Sequence, residues 1–286
     1  MTLPATAPPP CPAALAALAA ARPIGVFDSG IGGLSVLRAL RAELPREHFI
    51  YVADSAHAPY GQRGDAFVAA RSLAIGSALL AADGIKALVI ACNTATAAAA
   101  QALRAAHPHL PIVGVEPALK PAAALTRTGR VGVLATQGTL QSQRYRLLQA
   151  AQPAHVQFIA LACNGLADAI EAEASSLAPA GASASHLIEQ YLGQLGPLGM
   201  QPGAIDTLVL GCTHYPLAEA AWRQHAGPHI ALLEPGPPVA RQTRRLLAER
   251  GLLRPPTDAA PGHLALRATG DASALHAAAR QLGLAA

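Results

Sequence analysis

Residues 207–216, TLVLGCTHYP, place a short apolar run directly before a thiol, a hydroxyl and an imidazole. The run 207–211 has the length and aliphatic content of a strand buried on both faces of a parallel sheet. Ligands of such sheets collect beyond the carboxyl ends of the strands. We therefore expect the polar residues that follow, Cys212, Thr213 and His214, at a functional site rather than in an ordinary turn.

The same pattern recurs along the chain from Arg22 onward, where short β-rich runs alternate with longer segments rich in Ala and Leu. Such alternation is typical of βαβ units, whose parallel sheets are covered by helices on both faces. The sequence therefore predicts an α/β fold. The predicted strands span 24–27, 49–53, 87–91, 112–115, 131–135, 156–161, 207–211 and 230–233.

The chain resembles itself in two places. IGVFDSGIGGLSVLRAL (24–40) and VGVLATQGTLQSQRYRLL (131–148) each combine a strand, a polar turn with glycine, and a helix. ALVIACNTATAA (87–98) and TLVLGCTHYPLA (207–218) each place a cysteine at the end of a strand. We therefore predict two similar parallel-sheet α/β lobes related by pseudo-symmetry, with the active site between them.

The lobes and their boundaries follow from this repetition. We expect 23–116 and 234–286 to form a discontinuous N-terminal lobe, because the last segment crosses back, and 117–233 to form the second lobe. Residues 1–22 are expected to be a disordered or loosely helical extension. Pro8, Pro9, Pro10 and Pro12 crowd the start of its apolar part and no Lys or Arg precedes that part, which argues against a signal peptide.

Composition excludes several classes of protein. The chain has 286 residues, is 52% hydrophobic and carries a net charge of +4, with basic residues scattered and not interleaved with aromatics, so nucleic acid is not a predicted partner. Its four cysteines form no C-x-x-C pair, so neither a zinc site nor a disulfide framework is predicted. No apolar run approaches ~18 residues, so we predict no membrane span and a cytoplasmic protein with reduced thiols.

Cys92 and Cys212 occupy equivalent positions in the two halves. A single cysteine at a strand end is most often a small buried apolar residue, but a matched pair followed by polar side chains indicates chemistry. A helix is predicted to begin directly after each cysteine, and a helix N-terminus lowers the pKa of a thiol toward neutrality. Two such thiols on opposite sides of one carbon could remove a proton from one face and return one to the other, which is a racemisation or epimerisation.

Neighbouring residues suggest supporting roles. Asp28 is a candidate to bind an ammonium group or to assist Cys92, and His214 is a candidate to assist Cys212. The glycines of DSGIGG (28–33) fit neither G-x-G-x-x-G nor a P-loop, and their N–H groups suit a small anion such as a carboxylate. The two lysines, Lys86 and Lys120, lack a phosphate-binding loop, so pyridoxal phosphate is not predicted and the enzyme is expected to use no cofactor and no metal.

With these residues identified, the sequence resembles the glutamate racemase family over roughly 23–280. The blocks that carry the resemblance occur in family order: GVFDSGIGGLSV, YVADSAHAPYG, IACNTATA, GVEPALKPA, LATQGTLQS and LGCTHYPL. The resemblance implies that Cys92 and Cys212 are the catalytic acid/base thiols. It also implies a set of substrate-binding residues, which are Asp28, Ser29, Tyr60, Gly61, Asn93, Thr94, Thr213 and His214.

Other positions match the family less directly. Glu171 corresponds to an acid of the second lobe that assists catalysis, and Asp54 corresponds to an acidic position near the site. Thr136 and Thr139 fall in a further block that lines the substrate. The stretch LACNGLADAIE (161–171) departs from the family pattern, and its Cys163 is expected to be a structural buried thiol.

The resemblance also implies partners and a biological setting. The family supplies D-glutamate for peptidoglycan as a cytoplasmic homodimer. Some members have an N-terminal extension linked to activation by a peptidoglycan precursor. For residues 1–22 of this chain, we expect simple disorder in preference to that role. Two alternatives remain open. One is a related cofactor-independent racemase of another acidic amino acid such as aspartate, and the other is a non-catalytic homologue that binds an acidic ligand.

Overall fold

The computed structural model describes residues 12–174, 183–255 and 260–284. All the predicted strands are present, each within one residue at either end. One further strand, β9, lies near the carboxyl terminus. The strands are β1 (Ile24–Asp28), β2 (Phe49–Ala53), β3 (Ala87–Ile90), β4 (Ile112–Gly114), β5 (Arg130–Ala135), β6 (Gln157–Ala162), β7 (Thr207–Leu210), β8 (Ala231–Leu233) and β9 (Leu264–Ala268).

Helices occupy most of the connections between these strands. Short 3-10 helices at Ser55–His57, Tyr60–Gln62 and Tyr215–Ala218 supplement the α-helices. The α-helices are α1 (Pro12–Ala21), α2 (Leu34–Glu43), α3 (Asp65–Asp83), α4 (Asn93–Ala106), α5 (Leu119–Leu125), α6 (Gln137–Gln141), α7 (Gln143–Ala150), α8 (Leu166–Ala174), α9 (Ala184–Leu195), α10 (Glu219–Ala226), α11 (Gly236–Glu249) and α12 (Ser273–Gln281).

The strands form two separate parallel sheets. The first has five strands in the order β4-β3-β1-β2-β9, and the second has four in the order β6-β5-β7-β8. The chain leaves the first sheet after β4 and returns to it with β9, which pairs in parallel with β2. The predicted α/β class with two parallel-sheet lobes is confirmed, and the exact lobe boundaries stay a prediction.

Both faces of the first sheet are covered by helices. Successive strand residues point to opposite faces, so Val26 packs with α2, α11 and α12, whereas its neighbour Phe27 packs with α3 and α4. The second sheet is covered in the same way, with α8, α9 and α10 on one face and α5 and α7 on the other. Each lobe therefore has three layers, and the carboxyl ends of its strands are left open to ligands.

Helix α1 gives an ordered part to the predicted N-terminal extension. Residues 12–21 are helical, and the remaining residues of the predicted extension before Pro12 lie outside the described part of the chain. The buried Lys86 ammonium anchors the end of this helix by donating to the carbonyl of Ala20 at 2.5 Å. The same ammonium contacts the carboxylate of Glu47 and donates to the carbonyl of Leu252 at 2.9 Å.

Helix α3 is long and apolar enough to cross a membrane by length and composition alone. Its Val68, Ile75 and Leu79 are buried against the first sheet, and its Arg71 pairs with a carboxylate of the loop after β2. These contacts make it a covering helix of an α/β lobe.

Candidate active site

A cavity of about 830 Å³ opens between the two lobes. Residues of both sheets reach it at the carboxyl ends of their strands, as the βαβ pattern predicts. Eleven of the residues that the sequence placed at the site line this cavity: Asp28, Ser29, Tyr60, Gly61, Cys92, Asn93, Thr94, Glu171, Cys212, Thr213 and His214. Thr136 lines it as well, whereas Thr139 and Asp54 do not. The two cysteines that are far apart in sequence therefore share one cavity, with one thiol supplied by each lobe.

Cys92 is the N-cap residue of α4. Its sulfur accepts a hydrogen bond from the backbone N–H of Ala95 at 3.4 Å, and the thiol lies 4.0 Å from the hydroxyl oxygen of Ser29. The expectation of a lowered thiol pKa is wrong for this residue. Burial, followed by the charge of Asp28, raises the pKa of Cys92 well above its ordinary value and outweighs the N–H of Ala95. Without a ligand, Cys92 is therefore a neutral thiol that can donate a proton.

Cys212 follows β7, and the α-helix predicted directly after it is absent. A turn leads into the 3-10 helix Tyr215–Ala218, and α10 begins only at Glu219. The indole N–H of Trp222 donates to the carbonyl of Tyr215 at 2.9 Å, so this carbonyl is occupied by a side chain where an α-helix would use a backbone N–H. No α-helix N-terminus therefore lies at Cys212, and a neighbouring side chain is the nearest source of positive charge.

That side chain is His214. Its Nδ1 lies 3.8 Å from Sγ of Cys212, and its Nε2 lies 2.5 Å from Oε2 of Glu171. Burial alone lowers the pKa of His214, but the hydrogen bonds to Cys212 and Glu171 prevail and raise it well above its ordinary value. For Glu171, burial raises the pKa, and His214 together with the N–H of Ile31 lowers it overall. The pair is therefore an imidazolium with a carboxylate, and the cation can stabilise negative charge that develops on Cys212.

Asp28 ends β1 and is fully buried. One of its carboxylate oxygens accepts from the backbone N–H of Ser29 at 2.8 Å, and the other accepts from the N–H of Gly33 at 2.5 Å. Burial raises the pKa of Asp28, and this effect outweighs the nearby His214 and the two backbone N–H groups. Asp28 also acts on Cys92 by its charge and by a hydrogen bond. A carboxyl group with a raised pKa is suited to exchanging a proton with that thiol.

The amide of Asn93 lies in the cavity wall and is suited to binding a ligand. Both its oxygen and its nitrogen are buried and have no hydrogen-bond partner in the described structure. Buried polar groups almost always have partners, so this amide is positioned to bind a polar molecule in the cavity.

Three threonine hydroxyls connect the two lobes beside this amide. The hydroxyl of Thr94 lies 3.3 Å from that of Thr136 in the other lobe, and the hydroxyl of Thr136 lies 2.9 Å from that of Thr139.

Asp54 acts behind the cavity wall and does not line it. The phenol of Tyr60 donates to its carboxylate at 2.6 Å, and Arg71 and Thr269 donate to it at 2.7 and 2.8 Å. Burial would raise the pKa of Asp54, but these donors hold it at about 2. The sequence did not identify Arg71 and Thr269, because neither belongs to a motif and both reach Asp54 only through the tertiary fold.

The charge of the cavity wall constrains its ligand. Among the described residues that line it there is no Lys or Arg, whereas Asp28, Asp168 and Glu171 are acidic. An anionic ligand would be held by backbone N–H groups, hydroxyls and the amide of Asn93, with the His214 imidazolium as the positive charge in the wall. In the described part of the chain, no group of three or more His, Cys, Asp or Glu residues is arranged to hold a metal ion.

The cavity wall also contains residues that the sequence did not place at the site. Cys163, expected to be purely structural, lies in the cavity wall, where burial raises its pKa to about 12. Asn164 and Asp168 lie at the start of α8, and Ala274 comes from α12 near the carboxyl terminus. Asn164, Asp168 and Ala274 belong to no motif that marks a site, since only the packing of the lobes brings them to the cavity.

The two lobes and their shared, thiol-bearing cavity are those of an amino-acid racemase, an isomerase. More particularly, the chain belongs to the Asp/Glu/Hydantoin racemase family, which matches residues 24–243. The resemblance found in the sequence is thereby confirmed. The glutamate racemase of Pseudomonas paraeruginosa is 49% identical over 239 residues, which cover 84% of this chain and 86% of that protein.

Solved structures agree with the fold. The glutamate racemase of Escherichia coli, crystallised with L-glutamate and the activator UDP-MurNAc-Ala, matches with a TM-score of 0.77 at 32% identity, covering 92% of this chain and 94% of that one. The glutamate racemase of Thermus thermophilus, crystallised with beta-chloro-D-alanine, matches with a TM-score of 0.72 at 37% identity and the same coverage.

Proposed function

We propose that this protein interconverts L- and D-glutamate by transferring protons at Cα between two thiols. The observation that carries the proposal is that Cys92 and Cys212, one from each lobe, line the same cavity. Relatives named glutamate racemase at up to 49% identity support the substrate, as does the Escherichia coli relative crystallised with L-glutamate.

In the proposed reaction, Cα of glutamate lies between the two sulfurs. One cysteine, as the thiolate, removes the Cα proton and becomes a thiol, and the electron pair left on carbon is delocalised into the adjacent carboxylate. The other cysteine, as the thiol, donates its proton to the opposite face and becomes the thiolate. One proton is gained and one is lost by the protein, and the reverse reaction uses the same two groups with their roles exchanged.

The different surroundings of the two thiols suit them to different roles in proton transfer. Buried beside Asp28, Cys92 is kept as the neutral proton donor. Cys212 lies beside the His214 imidazolium, which can stabilise a thiolate. This starting arrangement suits one enantiomer, and exchange of a proton through Asp28 and His214 would prepare the site for the other.

Substrate binding would depend on neutral donors. The unpartnered amide of Asn93 and the hydroxyls of Ser29, Thr94 and Thr213 are available in the cavity wall to hold the two carboxylates. Asp28 and Glu171 are the acidic groups nearest the thiols and are candidates to attract the ammonium group. Tyr60 and Gly61 close the first-lobe side of the cavity.

The decisive experiment measures the circular dichroism of L-glutamate, D-glutamate and the two aspartate enantiomers during incubation with purified, reduced protein. We expect both glutamate enantiomers to reach a racemic mixture, with solvent deuterium entering Cα of the product in D2O. Faster interconversion of aspartate would assign the family's other acidic substrate instead. A folded protein without turnover of any of the four would favour the non-catalytic binding homologue.

The biological setting belongs to the same proposal. We expect the enzyme to supply D-glutamate for peptidoglycan in the cytoplasm and to act as a homodimer. The Escherichia coli relative was solved with the activator UDP-MurNAc-Ala, so a peptidoglycan-precursor activator is a proposed partner here. Sedimentation velocity tests the dimer, and the racemisation rate with and without UDP-MurNAc-Ala tests the activator.

A further inference from the structure

We propose that Ser35 and the glycine loop 29–33 of the first lobe form a seat that sets the position of the second-lobe His214 and, through it, the reactivity of Cys212. Ser35, Gly30 and Gly32 are then positioning residues, since they act on the reacting thiol through another side chain. The inference deepens the proposed racemisation and rests on it for its kinetic test.

The first observation is how closely the second lobe approaches the loop. A Cβ atom added at Gly32 would lie 2.2 Å from Nδ1 of His214, and one added at Gly30 would lie 2.4 Å from Oε2 of Glu171. Both distances are far shorter than a van der Waals contact. The imidazole and the carboxylate therefore rest directly on the backbone of the loop, in space that exists only because these two residues have no side chain. The N–H of Ile31 between them donates to Glu171.

The second observation is a hydroxyl shared between the lobes. Oγ of Ser35 lies 2.8 Å from the carbonyl oxygen of Gly32 in its own lobe and 2.8 Å from that of Thr213 in the other. The side chain is buried, so water does not replace either contact. A hydroxyl has one proton to donate, and here that proton joins the loop to the residue between Cys212 and His214.

Two hydrogen bonds within the first lobe fix the position of the loop. The buried phenol of Tyr51 donates to the carbonyl of Gly30 at 2.7 Å, and the N–H of Gly33 donates to Asp28. The same short segment thus holds the first-lobe carboxyl group on one side and supports the second-lobe His214 on the other. A shift of the loop would move His214 relative to Cys212 while leaving the hydrogen bond between Ala95 and Cys92 in place, because that bond lies within α4 and its cap.

The test compares Ser35→Ala with Ser72→Ala. Both serines are buried and donate to a carbonyl in or beside their own helix, but the Ser72 hydroxyl reaches only Val68 within α3. We expect Ser35→Ala to lower kcat/KM for glutamate about tenfold, the effect of one lost buried hydrogen bond, and Ser72→Ala to leave it within about twofold. Ser35→Thr keeps the hydroxyl and should recover most of the loss. Gly32→Ala, which displaces the imidazole directly, should lower kcat/KM by at least about a hundredfold.

Isotope effects separate positioning from general weakening. Primary isotope effects are measured with 2-deuterated L- and D-glutamate for the parent, Ser35→Ala and Gly32→Ala. If only the Cys212 step is slowed, the isotope effect rises for the enantiomer that Cys212 deprotonates and falls toward one for its mirror image. If the ratio of the isotope effects for L- and D-glutamate is the same in both variants as in the parent, the proposal is overturned.

A measurement without substrate keeps the inference separate from the proposed function. The rates of alkylation of Cys212 and Cys92 by iodoacetamide are followed by peptide mass spectrometry between pH 6 and 10. We expect Ser35→Ala and Gly32→Ala to change the pH profile of Cys212 more than that of Cys92, whose sulfur lies 4.0 Å from Ser29 of the same loop. Both profiles should be unchanged in Ser72→Ala. The melting transition shows whether each variant is folded. Equal changes at both cysteines in folded protein would contradict the proposal that Ser35 and loop 29–33 position His214. Absence of glutamate turnover by the parent protein contradicts only the proposed function.

Discussion

Nε2 of His214 lies 2.5 Å from Oε2 of Glu171. This contact raises the pKa of the buried imidazole, which lies beside Cys212 as an imidazolium. In the described part of the first lobe, the charged neighbour of Cys92 is the carboxyl group of Asp28 and not an imidazole. The two halves of the molecule thus match in backbone and differ in charge around their thiols. A reversible reaction between mirror-image substrates can use such an asymmetry, because each thiol has a neighbour of opposite charge, a carboxyl group beside Cys92 and an imidazolium beside Cys212.

Replacement of either thiol should nearly abolish racemisation. We expect Cys92→Ser and Cys212→Ser each to lower kcat at least about a thousandfold, because a serine hydroxyl is a far weaker acid than a thiol. Cys163→Ser is the matched control, since Cys163 lines the same cavity and should keep most activity. Circular dichroism of either glutamate enantiomer measures all three. Greater loss in Cys163→Ser than in Cys212→Ser would reassign the second base.

Replacement of Glu171 by Gln should change the pH dependence of the reaction. The carboxylate helps to raise the pKa of His214, so its removal lowers that pKa and the imidazolium is lost at a lower pH. We expect the alkaline limb of the kcat/KM profile to move to lower pH, and kcat/KM at pH 8 to fall by about ten- to a hundredfold. A profile that merely scales down, with its limbs unmoved, would contradict the role given to Glu171.

Asp54 should contribute to stability in a defined range of pH. Its pKa in the folded protein is about 2, lower than the ordinary value of 3.8, so its contribution is present in full above pH 4 and is lost as the pH falls toward 2. We expect Asp54→Asn to lower the free energy of unfolding at pH 7 by about 2 kcal/mol. Urea unfolding at several pH values should show the difference from the parent shrinking below pH 4. The variant should also raise KM, because Tyr60 loses its carboxylate partner.

The buried ion pair of Lys86 and Glu47 should matter for folding and not for chemistry. We expect Lys86→Met to lower the free energy of unfolding by about 3–5 kcal/mol, because it leaves a buried carboxylate without its cation. The exposed pair of Arg245 and Glu249 is the control, and Arg245→Ala should cost less than about 1 kcal/mol. Thermal and urea unfolding measure both, and kcat of the folded fraction should not change.

Much of the fold could be predicted from the sequence because the central strands of each sheet, such as β1, β3 and β7, are buried on both faces. A run such as 87–91 is apolar throughout, and each of these runs ends in a recognisable turn or cap. Strand β9 was missed for a different reason. It lies at the sheet edge and alternates between partly buried and exposed residues, and its sequence LALRA has no β-branched or aromatic residue, so it is more typical of a helix than of a strand.

The site was predictable as a set of residues, because matched cysteines at matched strand ends mark it. Its electrostatics were not predictable. Proximity to a helix N-terminus predicts a lowered pKa for Cys92, but burial by the second lobe and the charge of Asp28 reverse the sign. The α-helix expected directly after Cys212 is likewise absent. There the indole N–H of Trp222 donates to the carbonyl of Tyr215, a tertiary contact that the local sequence pattern does not reveal.

The return of the chain to its first sheet has a consequence for biogenesis. The second sheet is built from consecutive strands and can fold as soon as they leave the ribosome, whereas the first lacks an outer strand until Leu264–Ala268 has emerged. Thr269, which follows that strand, donates to Asp54 and so completes the support of Tyr60. We therefore expect a nascent chain to stay inactive until its synthesis is almost finished, and the lobe whose translation begins first to be completed last.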